Sequence, residues 1–472
     1  MQRLDLIIRG GTVATVSDVF AADIGVRDVR IVAIGELDRP ADLVIDAAGK
    51  LVLPGGIDSH CHMDQQTYEG VETADDFRSG TMSAACGGTT TVIPFAMPLP
   101  GQSLPDVVAD YRRRAEGNAV LDYGIHLIVT DPSERFLGRD LPNLAMDGYT
   151  SLKIYLTYAG FKLEDRQVLR VLDAARRERL LVMVHAENDD CIEWLTEKLL
   201  AEGKHAIEHV ADAHSIAGER EATHRAITFA EIVRTPILIV HVSSRQAMEQ
   251  IAWARGHGLA VYGETCPQYL LLNRRHLCTP GIAAAKFVCS PPPRTEADNS
   301  EIWKGVKSGL FDVVSSDHSP RRFADARGKM RYGPDAPFHK ISAGVPGIEL
   351  RLPLMFSEGV LKRRISLSQF VALTATNAAR LYGLAPRKGS IAIGADADLV
   401  LWDPDRPTRI RHDMLHDNTD YTPYEGIEVG GWPMLTLSRG EVVCRDGEFV
   451  GTPGRGQFLP RARFAPDAAW QP

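Results

Sequence analysis

Cysteine is scarce in this chain: Cys61, Cys86, Cys191, Cys266, Cys278, Cys289 and Cys444 are seven in 472 residues, with no Cys-x-x-Cys pair among them. An odd, scattered set excludes a disulfide framework and points to reduced thiols used as packing. Long apolar runs are also missing. Stretches such as Pro236 to Val240 fall far short of the roughly 20 residues that span a bilayer. The opening MQRLDLIIRGG carries early charges and no apolar leader core, so a cytoplasmic chain without a membrane partner is expected. Basic clusters are absent as well: 53 Lys plus Arg stand against 61 Asp plus Glu, for a net charge of −8. Nothing here could follow a phosphate backbone, and nucleic acid is not an expected partner. What remains is 44% hydrophobic and 24% charged residues, ordinary globular proportions that exclude long disorder, fibrous repeats and coiled coils.

The order of elements then sets the fold class. Residues 1–53 read as short strands broken by turns, LDLIIRGGTVAT, ADIGVRDVRIVAIG and DLVIDAAGKLVLPGG, punctuated at Gly10-Gly11 and Gly49. From 54 to 385 apolar runs (TTTVIPFA, YGIHLIVT, SLKIYLTY, LLVMVHAEN, PILIVHVSS, LAVYGETC, FDVVSSDH) alternate with helix-like stretches such as VLRVLDAARRERL and AITFAEIVRT. Strands without polar alternation are buried on both faces, and strand-helix repetition implies a parallel sheet with crossover helices. So many units close most simply into a (β/α)8 TIM-type barrel, since an open doubly wound sheet would need a glycine-rich phosphate loop that the chain lacks. Residues 386–452 turn strand-like again, and the two chain ends are expected to form one small β-sandwich domain beside the barrel. The Pro- and Arg-rich tail, 453–472, reads as a loose end or an arm laid on a neighbouring subunit.

Chemistry concentrates at strand ends. In LPGGIDSHCH, His60 and His62 are two apart and lie on the same side of a strand, aimed at one point beyond its end. A lone His-x-His can simply fill a polar loop. However, VMVHAEN places His185 and ILIVHVSS places His241 directly after apolar strands, at the rim where barrel enzymes gather catalytic groups. DVVSSDHSP adds Asp317 at the end of a further strand; alone, it could be a helix N-cap. Together, four imidazoles and a carboxylate form a metal-ligand set suited to zinc.

With DGYTSLKIYLTY, these motifs make the chain resemble the dihydropyrimidinase and D-hydantoinase (phenylhydantoinase-like) family of the amidohydrolase superfamily over almost its whole length. The resemblance implies a hydrolase that opens the cyclic amide of dihydropyrimidines or 5-substituted hydantoins to give N-carbamoyl amino acids. It implies two divalent metal ions, zinc first with manganese or cobalt as alternatives, and a carboxylated Lys153 bridging them. His60, His62 and Asp317 would hold one ion, and His185 and His241 the other. Asp317 would also move the proton, Tyr158 would stabilise the oxyanion, and Ser290 of CSPPPR would meet the ureide edge of the substrate. A homotetramer follows from the same resemblance. Charge supports the carbamate: two divalent ions bring +4, and a carbamate, an aspartate and a hydroxide reduce that to +1, whereas an ammonium would add repulsion. Forming it needs a neutral amine, and burial lowers a lysine pKa from about 10.4 in that direction.

Two stretches depart from the family pattern. Where relatives read PNGxPG this chain has SAGVPG, so Ala343 occupies the position of a substrate-contacting asparagine, a contact that a backbone N–H can make as well. After His-x-His the run MDQQTYEG is more polar than the usual apolar gate, which favours a small or polar substituent on the ring, whereas HDNTDYTPYEG and GRGQFLPR resemble the phenylhydantoinase branch. Allantoin, dihydroorotate and cyclic imides are the alternative substrates. Dihydroorotases carry an arginine just after His-x-His, and none lies between His62 and Glu72. A non-catalytic interaction protein on this fold would lack the ligand set that is present here.

Overall fold

The computed structural model of the chain describes residues 3–66 and 70–465. Its first five strands are β1 (Leu4–Ala14), β2 (Val19–Arg27), β3 (Arg30–Gly35), β4 (Ala41–Asp46) and β5 (Leu51–Pro54). The barrel strands follow: β6 (Gly56–Cys61), β7 (Thr89–Ala96), the short β8 (Asp122–Tyr123) and β9 (His126–Ile128), β10 (Ser151–Tyr155), β11 (Leu181–His185), β12 (Ile237–Ile239), β13 (Val261–Thr265) and β14 (Val313–Val314). Four strands close the chain: β15 (Leu399–Arg409), β16 (Glu428–Ser438), β17 (Glu441–Arg445) and β18 (Glu448–Phe449).

The barrel strands pair in parallel in the order β14-β13-β12-β11-β10-β9-β7-β6, with β8 beside β7. Every apolar run singled out in the sequence holds one of them. The ring closes where Cys61 bridges His318 in parallel. There His62 N–H donates to His318 O at 2.6 Å and Ser316 Oγ–H donates to His60 O at 3.3 Å. Helices cover the outside. In Asp165–Glu178 the residues Val168, Val171, Leu172 and Ala175 are buried, the i, i+3, i+4, i+7 stripe that turns one helical face inward.

Strands from both ends of the chain make one nine-stranded sheet, β18-β17-β16-β15-β5-β1-β2-β3, with β4 also paired to β1. The junction is β5 against β15, antiparallel, from Leu51 opposite Trp402 to Pro54 opposite Leu399. Gly10-Gly11 is a bulge inside a single eleven-residue strand and not a turn. Before it β1 pairs with β4, and after it with β5. Gly10 takes a φ of 71°, and a methyl group on Gly11 would fall 2.5 Å from Val52 Cγ2, so both positions require glycine. The change of neighbour lets the sheet enclose a common apolar cluster of Leu6, Ile8, Val13, Val52, Leu399 and Leu437. This is the packed β unit expected from the chain ends.

The tail packs on the chain's own barrel. Leu459 N–H donates to Tyr123 O at 2.8 Å, and Phe464 N–H to Arg179 O at 2.9 Å. Both side chains are buried in the barrel's inner cluster. Residues up to 465 therefore seal the chain's own barrel at the end where the strands begin; 466–472 lie outside the described residues.

A buried charge cluster ties barrel to sheet. Lys388 Nζ lies 2.7 Å from Asp122 Oδ2 in β8, 2.7 Å from Asp398 Oδ2 and 2.9 Å from Asp396 Oδ2. Removing one member of such a set leaves uncompensated charge in a low-dielectric interior. Lys388→Met should therefore destabilise the fold by about 3–5 kcal/mol, read as a lower urea midpoint at pH 7. A midpoint equal to that of the parent protein would contradict this account.

Candidate metal centre

Closure of the barrel builds the first half of the site. Asp58 Oδ1 accepts from His60 N–H at 3.3 Å and from Ser316 N–H at 3.2 Å. The guanidinium of Arg351 lies 3.6 Å from Asp58 Oδ2, both side chains being fully buried. These contacts hold the first strand against the segment that follows the last one. Asp317 Oδ1 is thereby brought to 3.3 Å from His60 Nε2 and 3.6 Å from His62 Nε2. The opposite ring nitrogens are already engaged: His60 Nδ1 is 2.6 Å from Glu264 Oε1, and His62 Nδ1 is 3.0 Å from Gln65 Oε1. With each Nδ1–H donated to an oxygen, both Nε2 lone pairs face Asp317, the arrangement that fixes tautomer and orientation in metal-binding histidines.

The second half comes from the next strand ends. His185 closes β11, and His241 follows β12 by two residues, with His185 Nδ1 and His241 Nε2 at 2.9 Å. His185 Nε2 lies 2.8 Å from Glu187 Oε2. The ring centroids of His60 and His241 are 5.5 Å apart, so the two halves adjoin. Lys153, in the middle of β10, is completely buried, and its Nζ has no hydrogen-bond partner; the same is true of His241 Nδ1. Unpaired buried nitrogens are costly unless something completes them.

Backbone strain marks the same residues. Tyr158, His241 and Asp317 adopt φ values of 74°, 39° and 46°, a left-handed conformation that costs a non-glycine residue about 1–3 kcal/mol and clusters at functional sites. Tyr158 is held there by its N–H donating to Asp189 Oδ1 at 3.0 Å. Its ring stands edge-on to His185, with centroids 5.2 Å apart.

Electrostatics agree with a cation seat. Burial, reinforced by the nearby Lys153 ammonium, pushes His60 well below the usual imidazole range and His62 down to about 3. Burial and the neighbouring His185 do the same to His241. Burial also drives Lys153 down to about 8 and raises Asp317 to about 7 and Glu264 to about 8. All these shifts disfavour charge where water has been excluded. Neutral imidazoles, a neutral amine and a carboxylate are the donor states that divalent cations take up, so the residues present fit a binuclear metal centre.

Every site residue chosen from the sequence lines one cavity of about 420 Å³: His60, His62, Lys153, Tyr158, His185, His241, Ser290, Asp317 and Ala343. Ser290 Oγ–H donates to Glu187 Oε2 at 2.6 Å. The segments of Ser290 and Ala343 are tied by Lys329, which donates to Val288 O at 2.8 Å and Ser342 O at 2.9 Å. Next to Ala343, Gly344 has a φ of 125°, and a methyl group there would meet Ser319 O at 2.5 Å. Of the polar run after His-x-His, Gln65 turns inward to His62, while 67–69 lie outside the described residues. Glu264 and Glu187 were missed by the sequence reading. For Glu264 the signal was available, since a carboxylate inside an apolar strand must have a buried partner.

Comparison with known proteins agrees with this geometry. Residues 51–443 match the model of the amidohydrolase family. The chain is 41% identical over 462 residues to the D-hydantoinase of Ralstonia pickettii, covering 98% of this chain and 100% of that one. It is 43% identical over 461 residues to the D-hydantoinase of Geobacillus stearothermophilus, covering 97% of each. The crystal structure of the dihydropyrimidinase from Brevibacillus agri superposes with a TM-score of 0.94 at 42% identity, over 98% of this chain and 99% of that one. Coverage from end to end at this identity, on a closed barrel whose rim gathers a histidine-rich ligand set, establishes that the chain belongs to the amidohydrolase family, within its hydantoinase and dihydropyrimidinase group.

Proposed function

We propose that this enzyme hydrolyses the ring amide of 5-substituted hydantoins and dihydropyrimidines to N-carbamoyl amino acids, using two divalent metal ions, zinc in the first instance. His60, His62 and Asp317 would hold one ion and His185 and His241 the other, with Lys153 between them as a carbamate. The observation that carries this reading is the buried, unpartnered Lys153 amine among four imidazoles and a carboxylate. Burial favours its neutral form, the form that adds carbon dioxide with release of one proton.

The metal pair, when bound, supplies water of lowered pKa and polarises the scissile carbonyl. The chain's own groups do the rest. Asp317, close to both His60 and His62, is placed to accept a proton during attack and return it to the departing ring nitrogen. The Tyr158 hydroxyl, which interacts with Ser290, is placed to donate to the developing oxyanion. Ser290 and Ala343 line the same cavity, where their segments would supply the donors and acceptors that a planar ureide edge requires. Glu264 orients His60 and so acts through it. The family likeness supports a homotetramer, and no helix among the described residues is long and apolar enough to cross a membrane.

A hydrolysis panel of dihydrouracil, D- and L-5-phenylhydantoin, allantoin, dihydroorotate and succinimide should give turnover of the first two ring classes, lost in chelator and restored by divalent metal. Full turnover with metal shown to be absent would overturn the proposal. Lys153→Ala should abolish turnover and leave well under two metal ions per chain by elemental analysis; an active variant with a full metal complement would remove the bridging role. Tyr158→Phe should lower kcat by about 100-fold or more with metal content unchanged, and a kcat within a few-fold of the parent would exclude it as the oxyanion donor.

A further inference from the structure

Among the described residues that line this cavity, Arg321 is a buried cation without a carboxylate partner. It follows Asp317 in the run DHSPRRF, on a segment fixed from both sides. Ser319 N–H donates to Val345 O at 3.0 Å, Ala74 N–H donates to Pro320 O at 2.9 Å, and Arg322 Nε–H donates to Asn418 O at 2.9 Å. Its side chain is only 7% exposed and lines the cavity together with His62 and Ser319. Nε and one terminal nitrogen, NH1, have no hydrogen-bond partner, and among the described residues no carboxylate pairs with it. Burial lowers its pKa only to about 10, so it stays cationic at neutral pH. The hydroxyl of Tyr421, which senses this charge, is pushed well above its usual range by burial and remains un-ionised. A guanidinium left this way costs several kcal/mol, which proteins tolerate where a ligand completes it.

The remaining cavity charges narrow the ligand. Of the lining carboxylates, Asp317 belongs to the metal centre, and Asp189 is engaged by Lys162 at 3.3 Å and by the N–H of Tyr158. Arg331 and Lys340, both exposed, add positive charge to the lining. A buried guanidinium with no carboxylate partner among the described residues matches a carboxylate, the acceptor that completes its charge as well as its hydrogen bonds. We infer that Arg321 binds a carboxylate on the exocyclic substituent, so that the preferred substrates are cyclic ureides with an anionic side chain. This rests on the hydantoinase reading and deepens it.

The test uses the metal-loaded enzyme and paired hydantoins bearing acetate or acetamide at C5. Both release the same new carboxylate on ring opening, so the ratio of their kcat/KM isolates the charge of the side chain. The acetate should be favoured by roughly 10- to 100-fold, the range expected for hydrogen bonds to a charged group. That preference should weaken as ionic strength rises. Arg321→Met should bring the ratio close to one whatever it does to absolute rates, and Arg321→Lys should retain part of the preference. Hydrolysis of both rings by the parent enzyme without preference for the acetate, or a preference that survives Arg321→Met, would overturn the inference and leave the hydantoinase reading standing. Hydrolysis of neither ring would overturn both.

Discussion

The constraint on which the rest depends is the desolvation of polar groups at one end of the barrel. Parallel strands buried on both faces deliver His60, Lys153 and His185 from their own backbones, with His241 and Asp317 just beyond, to one buried cluster. Each group alone would shed its charge or find a partner. Here one nitrogen of each of His60, His62 and His185 is engaged by Glu264, Gln65 and Glu187, while the rest of the cluster faces itself: imidazole beside imidazole, a carboxylate between two rings, and an amine without a hydrogen-bond partner. Such a cluster is poised for cations, because positive charge at its centre would restore Asp317 to its ionised form and give the unpartnered nitrogens an acceptor for their lone pairs.

Closure of the barrel makes that cluster possible. The buried pair of Asp58 and Arg351 joins the first strand to the elements after the last one, and the tail plugs the opposite end with Leu459 and Phe464. At the functional end the backbone is strained at Tyr158, His241 and Asp317, and the strain persists because neighbouring segments fix it, as Asp189 does for Tyr158. Ser290 and Ala343, which line the cavity, stand on loops whose segments Lys329 cross-links. The candidate metal ligands therefore sit on strands or just beyond their ends, while other residues of the cavity lining sit on loops.

This division explains how a shared centre can serve a particular substrate. The residues that prepare the reaction are carried by strand ends, whose positions follow from barrel geometry. Arg321 and Ala343 lie on the loops around them and line the cavity.

Much of this was legible in the sequence because it is encoded locally. Apolar runs of strand length alternating with amphipathic helices specified the parallel barrel, and a histidine, lysine or aspartate at the end of such a run could point only to the rim. Other features arise through space and have no local signature. Gly10-Gly11 looked like a turn but is a bulge, because the neighbours of β1 change there and a turn would have split the strand. In the tail, Leu459 and Phe464 bury themselves in the chain's own barrel, a placement without a local signature. Glu264 and Arg321 gain their meaning only from residues far away in sequence, His60 in one case and the empty surroundings of a guanidinium in the other. Sequence by itself determined which groups reach the rim, since strand periodicity is a property of neighbours along the chain; tertiary structure decided which of them meet and which charge is left without a partner, since that depends on distances created only when the barrel closes.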